Sequence, residues 1–182
     1  MSIRARPWSI WLNIVGYQLV WLACVVGAGR GPVWLGPLAA ISFVGATLLW
    51  GGKRECDLRS LLLALPIGFA LDSSFAASGW LVYAHPWPWP LAAPAWIWAI
   101  WAAFAMTLNH SLGFLTGRPR LAFALGLAGG PLAYWTAARS FSAVRFGAPE
   151  PWVLLALALG WAAVLPTLFA LNRRYAPQVA IA

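Results

Sequence analysis

Hydrophobic residues fall in six long runs along the chain, separated by short polar or Pro/Gly-rich segments. A helix needs about 20 residues to span the hydrocarbon core of a bilayer, and each run is close to that length. The predicted helices cover residues 8–29, 33–50, 60–79, 94–115, 120–138 and 151–171. The pattern therefore predicts an all-α integral membrane protein, with residues 1–182 forming one bundle of six transmembrane helices.

Composition places the chain in the same class. It is 62% hydrophobic and 9% charged, with a mean hydropathy of +0.76, whereas soluble domains are about 25% charged. The net charge of +8 is a property that nucleic-acid-binding proteins share, but the basic residues are scattered between apolar runs and form no patch. We expect membrane lipids as partners, and no nucleic acid.

The distribution of arginine and lysine predicts the orientation. With the N-terminus inside, nine of the 12 basic residues fall in cytoplasmic segments and three outside, as the positive-inside rule requires. The cytoplasmic set is Arg4, Arg6, Lys53, Arg54, Arg59, Arg118, Arg120, Arg173 and Arg174. Both termini are therefore predicted to be cytoplasmic. The first apolar run exceeds the core of a signal peptide in length, so we expect it to be retained.

Tryptophan is abundant, with 14 residues in the chain, and most lie near predicted helix ends. Indole rings settle where hydrocarbon meets headgroups. Residues 85–96, HPWPWPLAAPAW, are predicted to form an outer loop whose four prolines prevent a helix. We expect its indoles to lie on the outer membrane surface, with ligand binding as the alternative.

Five polar residues lie within the predicted spans: Asn13, Gln18, Asp72, Asn109 and His110. At 1.5 Å per residue, the two asparagines and the histidine lie about 8 Å from the cytoplasmic ends. Gln18 and Asp72 lie about 15–18 Å deep, so one hydrated crevice could connect the two levels. The amides are typical of hydrogen-bond partners between helices. Asp72 and His110 are the candidate catalytic groups, because ionisable residues in a membrane mark functional sites.

Asp72 also has structural interpretations. Gly68 precedes it by one turn, so another element can approach that face closely. One alternative to a functional carboxylate is an ion pair with Arg139, reaching inward from the fifth helix. The other is neutralisation of Asp72 by loss of solvent.

The fifth predicted helix contains Gly129, Gly130 and Pro131 near its centre. Proline removes one backbone hydrogen bond and glycine permits bending, so this segment predicts a kink.

No metal or cofactor motif is present in the sequence. Cys24 and Cys56 are predicted to lie most of a bilayer apart, too far for a disulfide. The two cysteines and two histidines lie at unrelated depths and do not predict a zinc site. Phosphate-binding glycine loops and nucleophile motifs are absent from the sequence as well. We expect neither a metal nor a cofactor.

Several motifs together resemble one bacterial family. They are Asn-x4-Gln at 13–18, LDSS at 71–74, PAW at 94–96, TLNHSL at 107–112 and GGPLAY at 129–134. Their order is similar to that of the inner-membrane proteins catalogued as domain of unknown function 2878, over nearly the whole chain. The resemblance implies a multi-pass protein of the bacterial inner membrane. It also implies an association with enzymes that modify fatty acids, and it carries over no residue role.

Three functions are compatible with these observations. The first is a non-catalytic inner-membrane component that supports or organises a lipid-modification or envelope pathway, with a soluble or membrane enzyme of fatty-acid modification as partner. The second is a small lipid-active enzyme that uses Asp72 or His110 for proton transfer. The third is a small proton-coupled transporter built on Asp72. We favour the first, because the sequence lacks a nucleophile, metal or cofactor motif.

Overall fold

The computed structural model describes residues 7–174, within which the chain forms six α-helices and one two-stranded sheet. All six predicted helices are present, and Arg4 and Arg6 lie outside the described residues. The helices are α1 (Pro7–Arg30), α2 (Leu35–Trp50), α3 (Arg54–Ala77), α4 (Ala95–Leu108), α5 (Pro119–Phe141) and α6 (Glu150–Arg174). The strands are β1 (Leu81–Tyr83) and β2 (Val144–Phe146), and a single 3-10 turn covers Gly113–Leu115.

Four helices, α1, α3, α5 and α6, are long and apolar enough to cross a membrane. Their outer faces carry many exposed leucine, valine and tryptophan side chains, which suits a surface facing lipid rather than water. The chain is therefore a multi-pass helical membrane bundle.

The two shorter helices, α2 and α4, have 16 and 14 residues. Helix α4 packs against α1, α2 and α3, and ten of its 14 residues are buried. Because protein surrounds it on several sides, α4 is the centre of the bundle. A helix enclosed in this way does not itself have to match the full thickness of the lipid core.

Successive helices run in opposite directions, so the bundle has two distinct ends. Gly36 at the start of α2 lies against Cys24 in the last turns of α1, and Trp135 near the end of α5 donates to Glu150 at the start of α6. We call the end that carries the sheet the sheet end. The opposite end, where α2 leads into α3 and α4 leads into α5, is called the basic end. It carries Lys53, Arg54, Arg59, Arg118, Arg120, Arg173 and Arg174.

Helix α4 ends at Leu108, so the predicted span over 94–115 is wrong in its last turns. Asn109 follows the helix, and the backbone N–H groups of His110 and Leu112 both donate to the Thr107 carbonyl. The chain thus turns at this point and satisfies the end of the helix with its own backbone. Asn109 and His110 therefore lie just past a helix rather than within one.

Helix α3 begins at Arg54, six residues before the predicted span over 60–79. The charged segment that was expected to be a loop forms its first turns. Glu55 and Asp57 lie in the first turn, where the positive end of the helix dipole stabilises carboxylates.

The sheet pairs the segment after α3 with the segment after α5, which the apolar pattern did not predict. Strands β1 and β2 are antiparallel, with Tyr83 opposite Val144 and Leu81 opposite Phe146. Tyr83 and Leu81 are buried on one face of β1. The sheet thereby holds the Tyr83 ring over the end of α3.

Candidate functional site

Asp72 is the centre of a buried cluster in the half of the bundle nearer the sheet end. Its side chain is fully buried. Oδ1 accepts hydrogen bonds from the hydroxyls of Tyr83, at 2.6 Å, and Tyr134, and Oδ2 accepts one from Trp101 Nε1, at 2.6 Å. The three donors come from β1, α5 and α4. One carboxylate thus joins four elements of the fold.

No cationic side chain among residues 7–174 lies within salt-bridge distance of Asp72. Arg139, which the sequence offered as an ion-pair partner, instead pairs with Glu150, and its side chain is 59% exposed. Trp135 Nε1 also donates to Glu150, at 3.1 Å. The ion pair between Asp72 and Arg139 is therefore not formed, and Arg139 is not an interior residue.

Tyr83 lies outside the helices, in β1. Burial, together with the neighbouring Asp72 charge, raises the pKa of its phenol well above the ordinary value. Tyr83 is therefore protonated at neutral pH and acts as a donor to the carboxylate.

Glycine on α3 makes room for the Trp101 ring. A Cβ atom at Gly68 would lie 2.0 Å from Trp101 Cδ2, a distance that atoms cannot adopt. The small residue one turn before Asp72 thus admits an indole, which places Nε1 against the carboxylate.

An aromatic stack continues from Trp101 towards α6. The rings of Trp101 and Trp161 lie parallel, with centroids 4.7 Å apart and planes at 8°. Phe104 packs edge-on against both rings. Helix α5 runs without interruption through Gly129, Gly130 and Pro131, and a Cβ at Gly130 would lie 2.4 Å from the Trp161 ring. Gly130 therefore serves close packing, and the kink stays a prediction.

A cavity of about 580 Å³ lies beside this stack, between α1, α4, α5 and α6. Trp101, Phe104, Tyr134 and Trp161 form part of its wall. Its lining also includes Phe114 and Leu132, which are 52% and 63% exposed. Because exposed apolar residues form part of the lining, the cavity opens at the lipid-facing surface of the bundle. The Asp72 cluster meets this cavity through Tyr134 and Trp101.

A second carboxylate cluster lies at the basic end, around Asp57. Its Oδ1 accepts from Asn109 Nδ2 at 2.9 Å, and its Oδ2 lies 2.9 Å from His110 Nε2. Asn109 Nδ2 also donates to Ser60 Oγ at 2.8 Å, and Asn172 Nδ2 donates to the same oxygen at 2.7 Å. Asp57 and Ser60 are both fully buried. The cluster fastens the end of α4 to α3 and α6.

Lys53 adds a cation to this end, because its ammonium donates to the Asn109 carbonyl. Asp57, Ser60 and Lys53 were not among the sequence-predicted site residues. The basic residues around Asp57 made its segment look like a cytoplasmic loop. Acidic residues are enriched in the first turn of a helix, so Glu55 and Asp57 were the signal that could have revealed a helix start at this position.

Asp72 and His110 do not share a site. Asp57, the partner of His110, precedes Asp72 by 15 residues on α3, which corresponds to about 22 Å along the helix. The structure therefore does not bring Asp72 and His110 together, and a hydrated crevice between their two levels stays a prediction. His110 lies in the turn after α4, and depth counted along an assumed helix misplaced it.

The remaining predicted polar residues, Asn13 and Gln18, are placed differently from each other. Asn13 is buried, donates to the Met106 carbonyl at 3.1 Å and accepts from Ser111 Oγ at 2.6 Å. It ties α1 to the end of α4. Gln18 is exposed and lines the cavity, so it is not an interior partner between helices.

In the part of the chain that the structure describes, no three His, Cys, Asp or Glu residues are grouped to hold a metal ion. Cys24 and Cys56 are both free thiols.

Comparison with known proteins identifies one family. The family described as "Protein of unknown function (DUF2878)" matches residues 10–167. No curated protein and no solved structure matches the chain.

Proposed function

The chain belongs to the DUF2878 family of proteins of unknown function, and we propose that it holds one apolar, lipid-like molecule in the membrane. In this proposal the protein is a non-catalytic component that supports a lipid-modification or envelope pathway. The observation that carries the proposal is the cavity between α1, α4, α5 and α6, with its aromatic wall and its opening at the lipid-facing surface.

The size and chemistry of the cavity support this role. Its volume of about 580 Å³ falls in the range of cavities that bind small organic ligands, about 300–1,000 Å³. Most of the lining is leucine, isoleucine, glycine and aromatic side chains. A molecule that diffuses in the bilayer can enter from the side without crossing water, and burial of its chain favours binding.

The proposed setting is the bacterial inner membrane, with six spans and both termini in the cytoplasm. The basic end carries Lys53, Arg54, Arg59, Arg118, Arg120, Arg173 and Arg174, whereas the sheet end carries Arg30, Arg139 and Arg145. This asymmetry supports a cytoplasmic basic end, where the basic residues can also meet anionic headgroups or a soluble enzyme.

Catalysis by Asp72 together with His110 receives no support from the geometry, because the two residues lie in separate clusters. A proton-coupled carrier would need Asp72 to exchange its proton with water. The three donors already bonded to its oxygens favour a carboxylate that organises the bundle. A holding role requires neither reaction.

The test is a substitution that fills the cavity without disturbing the helix. Gly129 lines the cavity, and a Cβ atom there meets no other atom within 4 Å. Gly129→Leu should therefore fold, block the cavity and lose the bound molecule. Gly45→Leu is the matched control, because Gly45 in α2 is equally open and does not line the cavity. Both changes raise helix propensity by a similar amount.

Each protein is purified in mild detergent, and its bound lipids are extracted and identified by mass spectrometry. We expect wild type and Gly45→Leu to carry an apolar lipid species in near one-to-one amount, and Gly129→Leu to lose it. Equal amounts in all three proteins would contradict the proposed cavity function.

The orientation has a separate test by reporter fusion. A reporter that is active only in the periplasm should give signal after Trp89 and none after Arg59, Arg120 or Arg174. Activity after Arg120 would overturn the proposed topology.

A further inference from the structure

The walls of the cavity differ in how their polar groups are satisfied. On the α4 and α5 side, the groups that line it already have partners within the protein. Trp101 and Tyr134 donate to Asp72, Thr107 donates to the Phe104 carbonyl, and Thr136 donates to the Leu132 carbonyl. This wall offers a ligand mostly apolar contact.

The α1 wall is different. Tyr17, Gln18 and Trp21 line the cavity, and none of their side chains hydrogen-bonds to another residue within 7–174. Gln18 is exposed, and Tyr17 and Trp21 are partly exposed. Among the described residues, the buried side-chain polar atoms without a hydrogen-bond partner are Trp161 Nε1 and Asn172 Oδ1. The polar atoms of these three α1 residues are not among them. The α1 wall therefore presents a phenol, an amide and an indole N–H that a ligand can reach.

These three residues lie near the middle of α1, at the level of the bilayer centre if α1 spans it. Residues three or four apart on a helix share a face, so Gln18 and Trp21 are neighbours on the cavity side. Polar groups without partners are costly at that depth, because hydrocarbon supplies no hydrogen bonds. A bound molecule with a polar atom at the same depth would offset this cost.

We infer that the cavity selects an acyl-type lipid that carries an uncharged acceptor oxygen within its chain, bound by Tyr17, Gln18 and Trp21. This inference rests on the proposed holding function and names the chemistry of the molecule. Together the three residues carry four N–H or O–H hydrogens but only two acceptor oxygens. The matching group is therefore a carbonyl or ether-type oxygen. A charged headgroup does not fit, because an ionised group is expensive near the bilayer centre.

Trp161 Nε1 is not assigned to the ligand. It has no acceptor in the described chain, but it is covered from the cavity. The Tyr134 hydroxyl lies close to it without forming a hydrogen bond of good geometry. The recognition surface is thus confined to α1.

The test compares two probes that differ only at one oxygen. Octadecanoate and 12-oxo-octadecanoate compete for the full-length protein in lipid nanodiscs, and native mass spectrometry counts each complex. One net hydrogen bond corresponds to a roughly five-fold preference. We therefore expect wild type to prefer the 12-oxo probe by about this factor.

Gln18→Met keeps the length of the side chain and removes its amide, and Trp21→Phe removes the indole N–H. Each should reduce the preference to about two-fold or less while octadecanoate still binds. Thr167→Val is the control, because Thr167 in α6 does not line the cavity and its hydroxyl donates to the Ala163 carbonyl. It should retain the wild-type preference.

The outcomes separate the two proposals. A wild type that binds both probes equally, or a Gln18→Met/Trp21→Phe double variant that keeps the preference, would overturn the inference and leave the holding function standing. If neither probe binds and purified protein carries no lipid, the holding function itself fails. Gln18 is exposed, so its single variant should fold even where the double variant does not.

Discussion

Helix α3 carries one buried carboxylate near each end, and the two are satisfied in different ways. Asp57, at the basic end, bonds an amide and an imidazole that belong to the turn after α4. Asp72, towards the sheet end, accepts hydrogen bonds from two phenols and one indole that come from three separate elements. The imidazole beside Asp57 can donate or accept a hydrogen bond according to its tautomer, whereas all three partners of Asp72 donate to it.

The difference shows that a buried acid in a membrane bundle can have a local or a global role. The Asp57 cluster closes one turn against its neighbours. The Asp72 cluster positions Trp101 and Tyr134, which also form part of the cavity wall. Asp72 therefore connects the packing of the bundle to the shape of the proposed ligand site, and removing each carboxylate should separate these roles.

The largest effect is expected from Asp72→Ala. It leaves three buried donors without an acceptor, at a cost of about 1–3 kcal/mol for each group. The melting temperature in detergent should fall steeply, or no folded protein should be recovered. Asp57→Ala should cost clearly less, because Asn109 retains Ser60 as an acceptor. Equal falls in melting temperature for the two variants would contradict the proposed difference between the two carboxylates.

The amide variants test the same difference between Asp72 and Asp57 without removing the side chain. In Asp72→Asn, the new amide N–H group faces either the Trp101 indole, which cannot accept, or the two phenols, whose own hydrogens then need another acceptor. In Asp57→Asn, the new N–H can donate to Nε2 of His110 in the tautomer that carries its ring hydrogen on Nδ1. We expect Asp72→Asn to lose about 1–3 kcal/mol and Asp57→Asn less than about 1 kcal/mol. Thermal unfolding of both proteins in the same detergent checks the order, and a reversed order would contradict the proposed difference.

Asn109→Ala tests the local cluster from its other side. Asn109 donates to both Asp57 and Ser60, so its removal should destabilise the protein by about 1–2 kcal/mol. Asn172→Ala is the control, because Asn172 donates only to Ser60 among the described residues and its own Oδ1 has no partner there. A larger loss for Asn172→Ala would mean that α6, rather than the turn after α4, dominates this cluster.

The smallest effect is expected from Arg139→Gln. Arg139 pairs with Glu150 at an exposed position, and such pairs contribute less than about 1 kcal/mol. The same substitution should not rescue Asp72→Asn, since the two residues have different partners. Rescue of the double variant in thermal unfolding would show an ion pair between Asp72 and Arg139.

The six helices follow from the sequence because the length of an apolar run is a local property. The start of α3 and the end of α4 do not, since hydropathy treats charged residues in a first helical turn as a loop. It also extends a helix through Asn109 and His110, where the backbone in fact turns. Both errors concern how helix ends are satisfied, which apolar counting does not measure.

The candidate site follows from the sequence only in part. Asp72 and Asn109 stand out as polar residues in apolar surroundings, which the sequence displays directly. The partners Tyr83, Trp101 and Tyr134 do not, because 15% of the chain is aromatic and nothing local distinguishes these rings. Their roles depend on the pairing of β1 with β2 and on contacts between distant helices, which are properties of the folded chain.

The sheet also sets an order for biogenesis. Ribosomes deliver the chain from its N-terminus, so β1 leaves the insertion machinery before α4, α5 and β2 have been made. Tyr83 can be fixed over Asp72 only after β2 arrives to pair with its strand. Helix α3 therefore enters the membrane before Asp72 has all of its hydrogen-bond donors. The bundle is complete only when the segment after α5 has been translated.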